Sequence, residues 1–346
     1  MSQSEPKSER EVETFFETSC KIKERLVDES AIALGFFDGV HPGHRAVIQK
    51  ALDDARKLGV KAGIVTFKDH PRSLTRGKSP ALLTVIEKRL ELVEALGVDF
   101  ALVLSFTEEL CQLSPSEYVE NVLVRATGAR SISVGHNHHF GRDREGDADL
   151  LKRMGKDLGF TVNVASMIRV NDREVSSSRI REHVLNGQMQ DAAELLQRPF
   201  SVRGEICHGD GRGRTIGFPT ANLEIYEFHL LPRQGVYAGR ARFGDDEIFN
   251  CVINVGMRPT FKEGGEESEA RPVVEAHLFE IEAGADLYGR ELDLQFLDYI
   301  REEKRFDSKE ALVEQIKQDK AQAVAYLNGL KSDSRRILSK EERLHA

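Results

Sequence analysis

The chain has 346 residues, 40% hydrophobic and 31% charged, with a formal net charge of −8. Such a length calls for two domains, and the acidic balance supplies no basic footprint for nucleic acid. No stretch approaches the ~18 consecutive apolar residues of a membrane span, and the polar start MSQSEPKSEREVETFFE lacks an apolar signal core, so a cytoplasmic protein is expected. Cys20, Cys111, Cys207 and Cys251 are scattered without a C-x-x-C pair, which argues for reduced structural thiols rather than a zinc site or disulfide framework.

Between residues 31 and 166, the short apolar runs AIALGFF, AGIVTF, DFALVLSF, SISVG and TVNVAS read as buried strands. HRAVIQKALDDARKLG and TVIEKRLELVEALG, which lie between them, have helical spacing. This alternation predicts an α/β domain with a parallel sheet covered on both faces, whose ligand lies beyond the carboxyl ends of the strands. GFFDGVHPGH (35–44), TFKDHP (66–71) and VGHNHHFGRDREGD (134–147) all fall at that end. Two helical segments follow, SSRIREHVLNG and MQDAAELLQ. After Arg198-Pro199 come FSVRGEICHG, GVYAGRARFG, EIFNCVINVG, PVVEAHLFEI and ELDLQFLDYI, strand-like and separated by turns, then the amphipathic SKEALVEQIKQDKAQAVAYLNGL. An antiparallel sheet or barrel capped by one helix is expected there. The expected domains are 1–197 and 198–330, with a charged tail at 331–346, and both chain ends read as solvated.

His41 and His44 flank Pro42 and Gly43, a tight turn feeding a helix whose N-terminus suits phosphate. Two imidazoles there can donate hydrogen bonds to phosphate oxygens. Alternatively, one histidine packs in the core and the other faces solvent. A zinc site drawing on His70, His136, His138 or His139 is a third reading, without an H-E-x-x-H or cysteine partner to support it. Ser176 to Ser178 can cap the next helix, and Arg179 and Arg181 in its first turns can reach an anion. Further on, the glycine-rich HGDGRGRTIGFPTANL is neither a Walker A motif nor a dinucleotide fingerprint. Its Thr220 hydroxyl and Asn222 amide are oxygen donors that suit Mg2+. Glu275, between Val274 and Ala276, either faces outward on an exposed strand or lies near a metal-phosphate site as a general base.

GFFDGVHPGH, TFKDHP, VGHNHHFGRDREGD and SSSRIR resemble, in order and spacing, the N-terminal module of bacterial bifunctional riboflavin kinase/FMN adenylyltransferases, within the H-x-G-H nucleotidyltransferase superfamily. The resemblance implies a Rossmann-like domain that joins FMN to ATP, giving FAD and pyrophosphate. By it, His41 and His44 bind the ATP phosphates and stabilise charge on the α-phosphoryl group, with Gly35, Phe37 and Asp38 in the same nucleotide site. Ser177, Ser178 and Arg181 match the S-[ST]-x-x-R pattern that holds the triphosphate, and Asn137 falls near the flavin phosphate and ribityl chain. Phe36 stands where the family often has Asn, and Lys68-Asp69 where it often has Glu-Pro, so only Phe67, His70 and Pro71 carry over in that block.

GRTIGFPTANL, LPRQGVYA, NVGMRPTF, the stretch 274–289 and LQFLDYIREEKRF are similar to the flavokinase module, a small antiparallel barrel with a C-terminal helix. This implies phosphorylation of riboflavin by ATP, with Thr220 and Asn222 coordinating Mg2+–ATP and Glu275 taking the proton of the 5′-hydroxyl. Gly211, Gly213 and Gly217 would belong to a nucleotide flap, and Arg301, Glu302 and Phe306 to a closing segment. The expected partners are the small molecules riboflavin, FMN and ATP, with no nucleic acid or membrane; a homo-oligomer is compatible with this reading. The rivals are a nucleotidyltransferase of the same superfamily with another acceptor, and a non-catalytic flavin-binding protein.

Overall fold

The runs SAIAL and FALVL are buried along their whole length, as strands covered on both faces must be. The computed structural model describes residues 12–18, 22, 24–69, 80–209, 212–226, 228–244, 247–261, 267–281 and 286–341. The chain divides into two compact units, 1–177 and 178–346.

In the first unit, strands β1 (Glu13–Glu17), β2 (Ser30–Leu34), β3 (Lys61–Phe67), β4 (Phe100–Leu104), β5 (Ala129–Gly135) and β6 (Thr161–Ala165) form one parallel sheet in the order β1-β4-β3-β2-β5-β6. From β2 the chain adds strands outward on one side, then crosses to add β5 and β6 on the other. The switch point therefore lies between β2 and β5, where open α/β sheets bind ligands. GFFDGVHPGH follows β2 and VGHNHH follows β5.

Helix α1 (Pro42–Leu58) packs against β2, β3 and β5, with Pro42 in its first turn and Gly59 ending it at φ 70°. Helix α2 (Ile86–Glu94) buries Ile86, Arg89 and Val93, and α3 (Ala148–Leu158) is capped by Asp147. Gly63 on β3 is required by close packing, since a Cβ there would stand 2.1 Å from the Phe100 ring.

Two elements depart from the sequence reading. The N-terminal stretch expected as a solvated tail contains β1, which pairs with β4 and packs Phe15 against Phe100 while Phe16 faces outward. A helical stretch from Pro115 runs into a wide π-helical segment, Val119–Ala126, that buries Val119, Val122, Leu123 and Ala126.

In the second unit, β7 (Phe200–Cys207), β8 (Ala221–Ile225), β9 (Gly235–Phe243), β10 (Glu247–Phe261), β11 (Glu267–Leu278) and β12 (Glu291–Arg301) close a barrel in the order β7-β8-β11-β10-β9-β12. Helices α4 (Ser177–Leu185) and α5 (Met189–Leu196) precede it. By contacts, α4 and α5 group with the barrel: α5 packs on β7 and β12, and Gln190 donates to Asp298 at 3.2 Å. The last helix, α6 (Lys309–Glu341), seats Ala323 and Leu327 on Val236, Val252 and Leu297 and runs on into the stretch read as a tail. Arg301 ties it down, donating to Asp319 through Nε at 2.9 Å and through a terminal nitrogen at 2.7 Å.

Replacing Gly63 by Ala forces the Phe100 ring to shift, at a cost of about 1–3 kcal/mol. A urea denaturation midpoint unchanged from wild type would contradict that contact.

Candidate active sites

Beyond β2 the chain must turn sharply to lay α1 back on the sheet. It does so through Phe37, Gly39 and Val40 at φ 55°, 84° and 39°. Non-glycine residues in that region cost of order 1–3 kcal/mol each, so the surroundings must hold them there. Asp38, 1% exposed, is the holder. Its carboxylate accepts the Leu83 and Thr84 N–H groups at 3.1 and 2.9 Å and the Thr84 hydroxyl at 3.2 Å. The Thr84 oxygen in turn accepts the Gly39 N–H at 3.0 Å, and the Ser177 hydroxyl donates to the Asp38 carbonyl at 3.0 Å.

Arg89 lies beneath, fully buried. It donates to the Phe67 carbonyl at 2.7 Å and the Thr84 carbonyl at 3.3 Å, and its guanidinium covers the Phe36 ring at 4.4 Å. Phe36 thus gives the buried cation an apolar face to rest on. Burial pushes the Arg89 pKa down to about 10, partly opposed by the Asp38 charge, so the group stays cationic at neutral pH.

His41 occupies the N-cap of α1, 5% exposed, and its Nδ1 accepts the His44 N–H at 3.3 Å. In the neutral ring this bond puts the proton on Nε2. The two imidazoles stack with centroids 3.6 Å apart and 18° between planes, and the Phe37 ring meets His44 edge-on at 5.5 Å. His41 is thus buried and His44 half-buried. Among the described residues no group of three or more His, Cys, Asp or Glu is arranged to hold a metal ion, and His70 with Pro71 lies outside them. Gly43 and Gly35 lie tight against the rings: a Cβ would come within 3.1 Å of His41 in the first case and 3.0 Å of Phe37 in the second, so either ring would have to yield slightly to a larger residue. The first turn of α1 carries no acidic residue to neutralise its positive end.

Asn137 is exposed in the turn after β5. Its neighbour His138 stacks beside Phe140 with Nε2 enclosed and without a hydrogen-bond partner. Burial, with help from the charges of His139 and Arg144, pushes the His138 pKa down to about 4. Ser178 and Arg181, three apart on one face of α4, belong to the second unit.

The barrel assembles its polar group by register. Asn222 on β8 pairs with Glu275 on β11, and Glu275 pairs with Asn254 on β10, so the three side chains form one row on one face. Val274 and Ala276 point into the barrel core, which puts half-buried Glu275 on the other face, beside Asn222 rather than in open solvent. Asn222 is 9% exposed and its Oδ1 has no hydrogen-bond partner. Gly209 lies against it, since a Cβ there would meet the amide at 2.2 Å. Asn254 donates to Glu303 at 3.3 Å.

Thr220 is exposed at the mouth of the row. Gly213 approaches it so closely that a Cβ would lie 3.2 Å from its hydroxyl, and the Gly213 carbonyl accepts the Phe218 N–H at 2.9 Å. Gly217 turns the segment at φ 84°, and Gly211 lies outside the described residues. His277 bonds the Pro219 carbonyl through Nδ1 at 2.8 Å. In the closing segment, Arg301 is committed to Asp319, Glu302 pairs with Arg233, and Phe306 lies 5.8 Å from the Arg301 guanidinium.

Thr84, Arg89, Asn254 and His277 were not singled out by the sequence reading. Arg89 left a signal: with Ile86 and Val93 it occupies the i, i+3, i+7 stripe that α2 buries, an arginine in an apolar register. Asn254 and His277 left none, because their importance lies in what the neighbouring strand brings opposite them.

A parallel sheet with an H-x-G-H turn at its switch point, followed by a barrel with a polar row, defines a two-module transferase acting on nucleotides. The FAD synthetase family matches residues 23–179 and the riboflavin kinase family residues 196–327. The bifunctional riboflavin kinase/FMN adenylyltransferase of Bacillus subtilis is 34% identical over 88% of this chain and 94% of its own, and that of Pseudomonas fluorescens is 35% identical over 84% and 91%. A solved structure described as a macrolide-efflux protein from Streptococcus pneumoniae shares 29% identity at a TM-score of 0.78, covering 90% of this chain and 98% of that one. Efflux is that protein's description; among the described residues here, no helix is long and apolar enough to cross a membrane. The chain belongs to the family of bifunctional riboflavin kinase/FMN adenylyltransferases. It phosphorylates riboflavin to FMN and adenylylates FMN to FAD, using ATP in both steps.

Arg89→Met leaves the Phe67 and Thr84 carbonyls unpaired at about 1–3 kcal/mol each, and FAD formation should fall more than FMN formation. Equal loss of both activities in a folded variant would contradict this placement. For His138, the unfolded chain gains a proton between pH 6.5 and about 4 that the folded ring refuses, so stability drops as pH falls through that window. His138→Gln should flatten the difference between denaturation midpoints at pH 7 and pH 5, and an unaltered difference would refute the burial effect.

Proposed function

We propose that His41 and His44 carry adenylyl transfer and that Glu275 initiates phosphoryl transfer. The observation that carries the first assignment is the stacked imidazole pair at the N-terminus of α1, whose first turn carries no acidic residue. A phosphate oxygen of FMN attacks the α-phosphorus of ATP, a new P–O bond forms, and pyrophosphate leaves. Charge grows on the non-bridging α-phosphoryl oxygens, where imidazole N–H donors and the first N–H groups of α1 oppose it. Gly35, Phe37 and Asp38 contribute by shaping the turn. Asn137 is assigned to the flavin phosphate and ribityl chain, and the S-S-x-x-R motif keeps the triphosphate role that the resemblance implies.

The register of Asn222 beside Glu275 supports the second assignment. The riboflavin 5′-hydroxyl gives its proton to the Glu275 carboxylate as its oxygen bonds to the γ-phosphorus and ADP leaves. Asn222 Oδ1, buried and without a partner, and the neighbouring Thr220 hydroxyl are hard oxygen donors that fit Mg2+. Bound there, Mg2+ would neutralise developing phosphate charge. The segment holding Gly211, Gly213 and Gly217 is proposed to cover the nucleotide. Adenylyl transfer is assigned to residues 1–197 and phosphorylation to 198–330.

Purified variants supplied with ATP, Mg2+ and either flavin test the assignment. His41→Ala with His44→Ala should abolish FAD formation from FMN and leave FMN formation intact. Glu275→Ala should do the reverse. Loss of both activities in either folded variant would overturn the two-site assignment.

A further inference from the structure

Pro219 has no backbone N–H, so the β8–β11 ladder cannot pass it. The ladder pairs Asn222 with Glu275 and Ala221 with Ala276, then stops, although one further step would set Thr220 opposite His277. At that step a side chain replaces the backbone: the His277 ring bonds the Pro219 carbonyl at 2.8 Å. A carbonyl can only accept, so His277 carries its proton on Nδ1. The Phe218 ring meets the same imidazole edge-on at 5.3 Å, and Phe279 backs it at 5.8 Å.

The segment leading into Thr220 is thus held next to it by the Gly213 carbonyl on Phe218 N–H and the His277 imidazole on Pro219, and further back by Lys309, which donates to the Thr215 carbonyl at 3.2 Å. Among the described residues no hydrogen bond ties the exposed Thr220 side chain to a neighbouring element, so its place beside Asn222 is set through Pro219. Loss of that hold would let the hydroxyl drift, and misplacement by about 1 Å can cost of order 100-fold in rate.

We infer that His277 is a positioning residue for riboflavin phosphorylation, fixing Thr220 beside Asn222 and Glu275 by holding the Pro219 carbonyl. This rests on the proposal that Thr220 and Asn222 hold the nucleotide.

Side-chain geometry supplies the test. The amide nitrogen of Asn is as many bonds from Cα as His Nδ1, whereas that of Gln matches Nε2. His277→Asn should therefore retain phosphorylation, while His277→Gln and His277→Leu should lose roughly 10- to 100-fold in kcat/KM for ATP with the KM for riboflavin unchanged. FAD formation from supplied FMN, read in the same preparations, should stay at the wild-type level in all three and exclude global misfolding. Full activity in His277→Gln, or a loss in His277→Asn equal to that in His277→Gln, would overturn the inference. Thr220→Ala and Asn222→Ala run alongside separate it from its premise: if both keep full phosphorylation, the nucleotide assignment itself is wrong.

Discussion

A buried carboxylate accepting backbone N–H groups sets the open end of the parallel sheet. Asp38 draws the 83–84 segment and the turn after β2 together, and Ser177 closes on its carbonyl. Hydrogen bonds to a charged acceptor contribute about 1.5–3 kcal/mol each, enough to offset the left-handed backbone at Phe37 and Val40. Without that hold, His41 would have no reason to sit at the N-cap with its ring over Gly43. The fully buried Arg89 completes the arrangement by occupying the carbonyl side of Thr84 while Asp38 occupies its N–H and hydroxyl.

The barrel reaches the same end by other means. Antiparallel register brings Asn222, Glu275 and Asn254 into line. The surrounding glycines let backbone come close, Gly209 to Asn222 and Gly213 to Thr220, so the mouth is built from main chain as much as from side chains. A strand that slipped by one residue would turn Glu275 into the core and Val274 out of it, so packing of the barrel interior and placement of the carboxylate are one constraint.

Much of this was legible in the amino acids. The buried strands of both units, the switch from parallel to antiparallel architecture, and the H-P-G-H turn all followed from period, punctuation and local chemistry. β1 was hidden because a five-residue edge strand beside a charged tail has too short a pattern to stand out. The Val119–Ala126 segment was hidden because a π-helical turn does not keep the 3.6 spacing that betrays an α-helix. That α5 packs on the barrel was not legible, since a proline marks where a helix stops and says nothing of which core that helix joins. Thr84, Arg89 and His277 act through contacts made far along the chain, and no local pattern announces such partners.

The central claim is that the chain carries two separate nucleotide sites, one for each activity. Equilibrium titration of the purified protein with a non-hydrolysable ATP analogue and Mg2+ tests it most directly. Two equivalents bound per chain are expected, one lost on substituting the paired imidazoles and the other on substituting Asn222. A single equivalent per chain, abolished by either change, would contradict it.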